Sequence, residues 1–201
     1  MENERERIAD DIARYARRML IAAIILVPGV FFVCAAPATP GWMVYGTGNT
    51  SIHAGIWFLV SCTPECETIF FSHIGFPDLK TVRIMSCIAA VFAIFAPIVG
   101  FISRHRIFNQ KDIIEHGLFG VISTLGAGVL GFVMIGMTVI DYKDIDDKGG
   151  MKTPYSLVIL GIGSAVELAG FVLYAWTFIE KCRTDKAHEQ GDTWVALSQG
   201  N

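Results

Sequence analysis

Apolar residues along this chain are gathered into four long blocks rather than spaced with a period of 2 or 3.6. The blocks run from about Met19 to Ala36, Val82 to Ser103, Leu118 to Ile140 and Tyr155 to Phe178. Each approaches or exceeds the roughly 20 apolar residues that a helix needs to cross a ~30 Å hydrocarbon core. A membrane helix is apolar all round, so the pattern predicts spans without fixing their rotation. Short connections make spans two, three and four antiparallel neighbours, and a four-helix bundle is the simplest packing. The predicted fold is an all-α transmembrane bundle over residues 19–178, flanked by polar segments 1–18 and 179–201, with a small extracellular antiparallel sheet in the long loop 37–81.

Composition agrees. Of 201 residues 53% are hydrophobic and only 17% charged, where a soluble domain carries about a quarter charged residues. Mean hydropathy is +0.50. The net charge of −3 and the lack of a basic stripe with interleaved aromatics speak against nucleic-acid binding. A highly charged segment, with five acids, precedes the first block, which suits a retained span better than a cleaved signal peptide. Basic residues set the orientation. Arg5, Arg7, Arg14, Arg17 and Arg18, then Arg104, Arg106 and Lys111, then Lys181, Arg183 and Lys186 fall on one side; Lys80, Arg83, Lys143, Lys148 and Lys152 fall on the other. The positive-inside rule therefore predicts cytoplasmic termini and two outward loops.

The long outward loop holds Trp42, Tyr45, Trp57 and Phe58, and its stretch Ile56–Val60 is β-prone between turn-type residues Gly41, Gly46, Gly48 and Pro64. Asn49-Thr50-Ser51 is a sequon on the side assigned as luminal, so Asn49 is a candidate glycosylation site. Cys62 and Cys66 lie in the same loop, where an oxidising compartment favours a disulfide; a redox pair and a metal site are weaker alternatives. Cys34 and Cys87 fall within spans as packing residues, and Cys182 follows the last span where reversible palmitoylation occurs. Glycines at 126, 128, 131 and 136 in span three, and the run Gly161-Ile-Gly163-Ser-Ala165 in span four, permit close helix approach. They serve either the bundle itself or a partner's helix.

Trp42, Gly55-Ile56-Trp57 and the pair Cys62 and Cys66, set in a four-span chain, resemble the claudin/PMP22/stargazin superfamily, whose first outer loop carries a Trp, then Gly-Leu-Trp, then two cysteines. His53-Ala-Gly-Ile-Trp57 with a sequon just upstream is similar to the calcium-channel γ-subunit and AMPA-receptor regulatory (stargazin-like) branch. So is the last span, Ser164-Ala-Val-Glu167-Leu-Ala-Gly170 running to Phe178-Ile-Glu180-Lys181. Leu79-Lys-Thr-Val-Arg83-Ile-Met resembles the start of that superfamily's second helix. The spacing departs from the family at two places: four residues separate Trp57 from Cys62, and three separate Cys62 from Cys66. The resemblance implies a disulfide between Cys62 and Cys66 and a sheet that contacts partner proteins.

Glu167 lies near the middle of span four, where an ionised carboxylate costs on the order of 2.5–3.5 kcal/mol on insertion scales. It is expected to face the bundle interior, or be protonated, and to hydrogen-bond Ser123, Thr124 or Ser164. A proton or ion relay would need further carboxylates in the spans, and none is present. Arg83 is expected to reach the interface or pair with an outer-loop acid. The acids of Asp141–Asp147 do not match the calcium-loop spacing and read as a solvated turn. Ile8, Ile12 and Tyr15 at helical spacing predict either a short amphipathic helix on the inner leaflet or a frayed extension.

No phosphate loop, HExxH motif or Ser/His/Asp cluster appears in the sequence, so an enzyme is not expected. No cofactor is expected beyond bound lipid or sterol. The leading expectation, carried by the resemblance, is an auxiliary plasma-membrane subunit of a pore-forming ion channel or ionotropic receptor. Its candidate contacts are Tyr45, His53 and Phe58 on the loop and Gly161 and Gly163 on span four. The alternative is a claudin-type adhesion or barrier protein. Against it stand the sequon and the polar terminus Ser198–Asn201, and a PMP22-like membrane-shaping role is a third reading.

Overall fold

The computed structural model describes residues 2–47, 50–63, 65–70, 77–109, 113–146 and 151–199. Each apolar block becomes the centre of a longer helix: α1 (Glu2–Ala38), α2 (Pro77–Phe108), α3 (Ile114–Asp146) and α4 (Tyr155–Gln199). Four stretches within them, Glu6–Ala38, Lys80–Phe108, Ile114–Ile140 and Tyr155–Lys186, are long and apolar enough to cross a membrane. Their outward positions are apolar too: Ile24, Phe31, Ile88, Phe95, Phe132 and Val172 are all exposed. A water-soluble bundle would set charge on those faces. Apolar residues inside and outside alike fit a multi-pass membrane protein.

The helices form a ring in which each packs against its neighbours in the order α1–α2–α3–α4–α1. Glycines make this possible. A Cβ on Gly163 would stand 2.9 Å from the Val33 main-chain nitrogen and 2.9 Å from Phe32 Cβ, so α4 meets α1 there nearly backbone to backbone. Gly170 receives Leu26 of α1, Gly128 receives Leu168, Gly126 receives Phe92 of α2, and Gly120 receives Tyr174. The small-residue faces of α3 and α4 are thus largely filled by the bundle itself. Gly161 has only Ile135 of α3 near it, and Gly136 has nothing within 4 Å.

Residues 2–18 do not form a separate in-plane helix or a frayed extension; they continue α1 without a break. Ile12, Tyr15 and Met19 prolong the inward stripe of the span, and the continuing α4 offers them a surface to pack on. Tyr15 and Met19 are buried with Ile107, Ile113 and Tyr174 in a cluster at the end of the bundle away from the sheet. The Tyr15 hydroxyl bonds that of Thr184 at 2.9 Å. Arg18 donates to Glu180 Oε2 at 2.5 Å, and Trp176 Nε1 donates to the same oxygen at 2.9 Å.

At the opposite end lie β1 (Met43–Thr47), β2 (Thr50–Ala54), β3 (Phe58–Thr63) and β4 (Glu65–Phe70), all between α1 and α2. A two-residue strand, β5 (Met151–Lys152), comes from the α3–α4 connection and pairs with β1. The sheet is antiparallel throughout, in the order β4-β3-β2-β1-β5. The α1–α2 and α3–α4 connections therefore meet in one sheet, at one end of the bundle. The acids of the second connection are less of a loop than expected, because α3 runs on to Asp146.

Gly163→Ala is expected to destabilise the purified protein by about 1–3 kcal/mol, the usual cost of overpacking a filled contact. Gly136→Ala, into open space, should leave the thermal midpoint in detergent unchanged or slightly raised, because alanine is the better helix former. A comparison of the two melting curves checks this.

Candidate functional site: the outer sheet and its anchorage

Three motifs that lie far apart in the sequence meet where the sheet joins the helices. Trp42 is 2% exposed and its indole Nε1 donates to the Ala36 carbonyl at 2.9 Å, closing the chain onto the last turn of α1. The same carbonyl accepts the Thr39 backbone N–H at 3.2 Å, so the indole joins a turn at the helix end, where carbonyls lack their helical donors. Thr39 adds a second tie, donating to the same carbonyl at 2.8 Å and meeting the Ser156 hydroxyl of α4 at 2.5 Å.

Gly55–Trp57 forms the turn between β2 and β3. The expected strand Ile56–Val60 begins only at Phe58, because Ile56 turns into the core at 1% exposure and Trp57 sits in the bend. Gly55 donates to the Phe58 carbonyl at 2.8 Å. A side chain on Gly55 would press on the Thr39 carbonyl at 2.9 Å and Pro40 Cα at 3.1 Å, so the close approach requires glycine. Arg83, in the first turns of α2, holds this bend from below. Its Nε donates to the Ile56 carbonyl at 2.6 Å and its guanidinium carbon lies 5.4 Å from the centroid of the Trp57 ring. This corrects the expected pairing with a loop acid or the interface. A main-chain carbonyl at a bend has no ladder partner and offers Arg83 an acceptor, while the ring faces its charge.

The register sorts the remaining loop residues by face. Val44 is buried, and its cross-strand partner His53 is half-buried with its ring centroid 6.3 Å from that of Tyr155. This face covers the helices. Phe58 shares its parity and packs beside Phe70, ring centroids 5.9 Å apart. Of the candidate contacts, His53 and Phe58 thus share the face that carries Val44. Tyr45, paired with Ile52, and Ile69, paired with Leu59, stand on the opposite face; Tyr45 and Ile52 are each 37% exposed and Ile69 is 47%. Toward β4 this outer face turns polar, in a shallow hollow lined by Ser61, Thr63, Glu65 and Glu67. Every residue of β4 is exposed, and among the described residues β4 is one of the two edges of the sheet, with β5 at the other.

Cys62 and Cys66 form a disulfide with Cα atoms 4.0 Å apart. They are directly opposite each other on β3 and β4, so the bond staples the edge hairpin close to its turn rather than spanning the sheet. Asn49 lies outside the described residues. Cys182 is half-buried on α4, one turn past Phe178. Among the described residues no three His, Cys, Asp or Glu side chains are grouped to hold a metal ion.

Glu167 is fully buried in the bundle. Contrary to expectation, neither of its oxygens has a hydrogen-bond partner among the described residues, and neither have the Ser123 and Ser164 hydroxyls. Thr124 turns back onto its own helix, bonding the Gly120 and Val121 carbonyls at 3.0 and 3.1 Å. Sequence reasoning missed β5, the Tyr155 ring packed on Gly41 and His53, and the Tyr15–Thr184 contact. Only the last had a signal, in the helical spacing of Ile8, Ile12 and Tyr15. Comparison with known protein families and with curated proteins finds no match.

Arg83→Ala should release the Gly55–Trp57 bend and cost ~1.5–3 kcal/mol, the range for a hydrogen bond from a charged group. The expected readout is faster proteolytic cleavage within residues 50–63 with an unchanged far-ultraviolet helix signal. Arg83→Lys should behave more like alanine than like wild type, since a point charge cannot supply both the Nε donor and the planar stack.

Proposed function

We propose that this protein is an auxiliary subunit that binds a pore-forming ion channel or ionotropic receptor in the plasma membrane. The observation that carries the reading is the sheet: it is tied to the bundle by Trp42 and Arg83, yet its far face exposes Tyr45, Ile52 and Ile69 beside a polar hollow lined by Ser61, Thr63, Glu65 and Glu67. A face of this kind, on a rigid mount, suits contact with a partner's ectodomain. Membership of the claudin/PMP22/stargazin superfamily, nearest its stargazin-like branch, is part of the same proposal. It is supported by Trp42, Gly55–Trp57 and Arg83 converging on one anchorage, and by a disulfide in the loop. In the proposed orientation the sheet is extracellular and both termini are cytoplasmic, following the distribution of Lys and Arg.

Such a subunit shifts gating only when it binds one conformation of the partner more tightly than another. The rigid sheet matters for that reason, since a loosely held one would follow either conformation equally. Lipid-facing contacts would come from exposed apolar positions on the helices. The glycine faces of α3 and α4 are a poorer choice, being mostly occupied within the bundle.

One observation favours the second reading, an adhesion or barrier protein. The β4 edge is unpaired in the sheet order and exposed along its whole length, with Phe70 at 73%, which would let copies pair edge to edge. Purification from native membranes in mild detergent separates the two. Recovery of a channel or receptor subunit in fixed ratio, lost in a Tyr45→Glu/Ile52→Glu double variant that still reaches the surface, supports the auxiliary role. Self-polymers without such a subunit would contradict it.

A further inference from the structure

We propose that the β3–β4 hairpin rests on the membrane surface beside the bundle, seated through the Phe58–Phe70 ring pair on phospholipid of the sheet-side leaflet. The cross-strand pairs Val44–His53, His53–Val60 and Val60–Thr68 carry one face of the sheet from β1 to β4. Over β1 and β2 that face covers the helices, and Val44 is buried. Over β3 and β4 it carries Phe58, Val60, the Cys62–Cys66 bond, Thr68 and Phe70, and no charged residue. There the bundle no longer covers it. Among the described residues no helix packs along β3 or β4, Cys66 and Thr68 are exposed, and Phe70 is 73% exposed. Both acids of the hairpin, Glu65 and Glu67, stand on the opposite face with Ser61 and Thr63. The hairpin is thus uncharged on the helix side and acidic on the other.

The occupant follows from where the ring pair stands. Arg83, in the first turns of α2, lies against the Trp57 ring, and Phe58 follows Trp57 directly. Its ring centroid is 5.9 Å from that of Phe70. Ile84 and Ile88 come next along α2 after Arg83 and are exposed on the outside of the bundle, where a membrane helix meets lipid. The aromatic patch therefore sits at the level where the lipid-facing belt of α2 ends. Aromatic rings beside an arginine at that level are what a membrane–water boundary selects. The hydrocarbon core itself is closed to the hairpin, because an edge strand leaves backbone groups unpaired and these need headgroups or water. Headgroup depth satisfies both requirements, with the rings turned toward the acyl chains and the acids in water. Pairing of two copies through the β4 edge would leave this face as exposed as before, so it does not account for the patch.

Photocrosslinking of the full-length protein tests this. Benzoylphenylalanine replaces Phe70, Glu67 or Phe31 in separate variants, Phe31 being an exposed residue of α1. Each is irradiated in phosphatidylcholine vesicles and in native membranes, and the products are read by mass spectrometry. The expected result in vesicles is an adduct one phospholipid heavier at Phe70, as at Phe31, and its loss at Glu67. In native membranes Phe70 should give no cross-link to protein. No lipid adduct at Phe70 while Phe31 gives one overturns the proposal, as do equal adducts at Phe70 and Glu67. A cross-link from Phe70 to a second copy or to another protein overturns it too, since protein would then cover the patch. Wild type in vesicles of a phosphatidylcholine carrying a diazirine close to its headgroup decides the question without a substitution. Label on Phe58 or Phe70 is then expected, and label confined to the helices would contradict the proposal.

Discussion

Arg83 stands where α2 leaves the bundle, and its guanidinium is committed in two directions at once. It donates to the Ile56 carbonyl and lies under the Trp57 ring. Around that contact the sheet-bearing half of the molecule is assembled. Ile56 is pressed into the core beside Val33, Trp42, Val82 and Leu160, so one bend of the loop closes the top of all the helices it overlies. The sheet inherits its position from this bend on one side and from the Trp42 bond to α1 on the other. Without the arginine the loop would keep its strands but lose the fixed angle at which they meet the helices.

The other end of the molecule is built by continuity. α1 and α4 run on past the apolar blocks and keep contact through Tyr15, Arg18, Thr184 and Glu180. Between the two ends α1 and α4 approach closely at Gly163 and Gly170, where side chains of one helix fill the missing side chains of the other. Such a contact gains little from expelling water when the surroundings are lipid, so its stability comes from close packing and from polar ties. The buried carboxyl of Glu167 is the polar group at the centre of that seam. A frame of this sort gives the sheet a fixed mount.

The spans were legible in the sequence because membrane helices announce themselves by length and composition alone. The sheet was legible from β-prone residues between glycines, and the residues that anchor it were singled out, though as separate motifs. What the sequence did not give was direction. An all-apolar helix has no periodic stripe, so nothing foretold that Gly163 would face α1 instead of a partner. The sequence assigned His53 no face, because that depends on register, and a β-strand turns every alternate side chain inward. Ile56 reads as a strand residue by propensity, yet burial and the Arg83 bond take it into a bend. β5 has two residues and too short a pattern to signal itself. Glu167 was expected to find a hydroxyl partner among Ser123, Thr124 and Ser164, but Thr124 spends its hydroxyl on its own helix.

The central claim is that Arg83 fixes the sheet rigidly on the bundle, and a distance distribution tests it most directly. Spin labels on ketone-bearing residues introduced at Thr63 of β3 and Phe132 of α3 avoid the native cysteines, and pulsed dipolar spectroscopy reads their separation in lipid. The structure predicts one narrow distribution in the wild-type background and a broad one after Arg83→Ala. A broad wild-type distribution, or a narrow one that Arg83→Ala leaves unchanged, would contradict it.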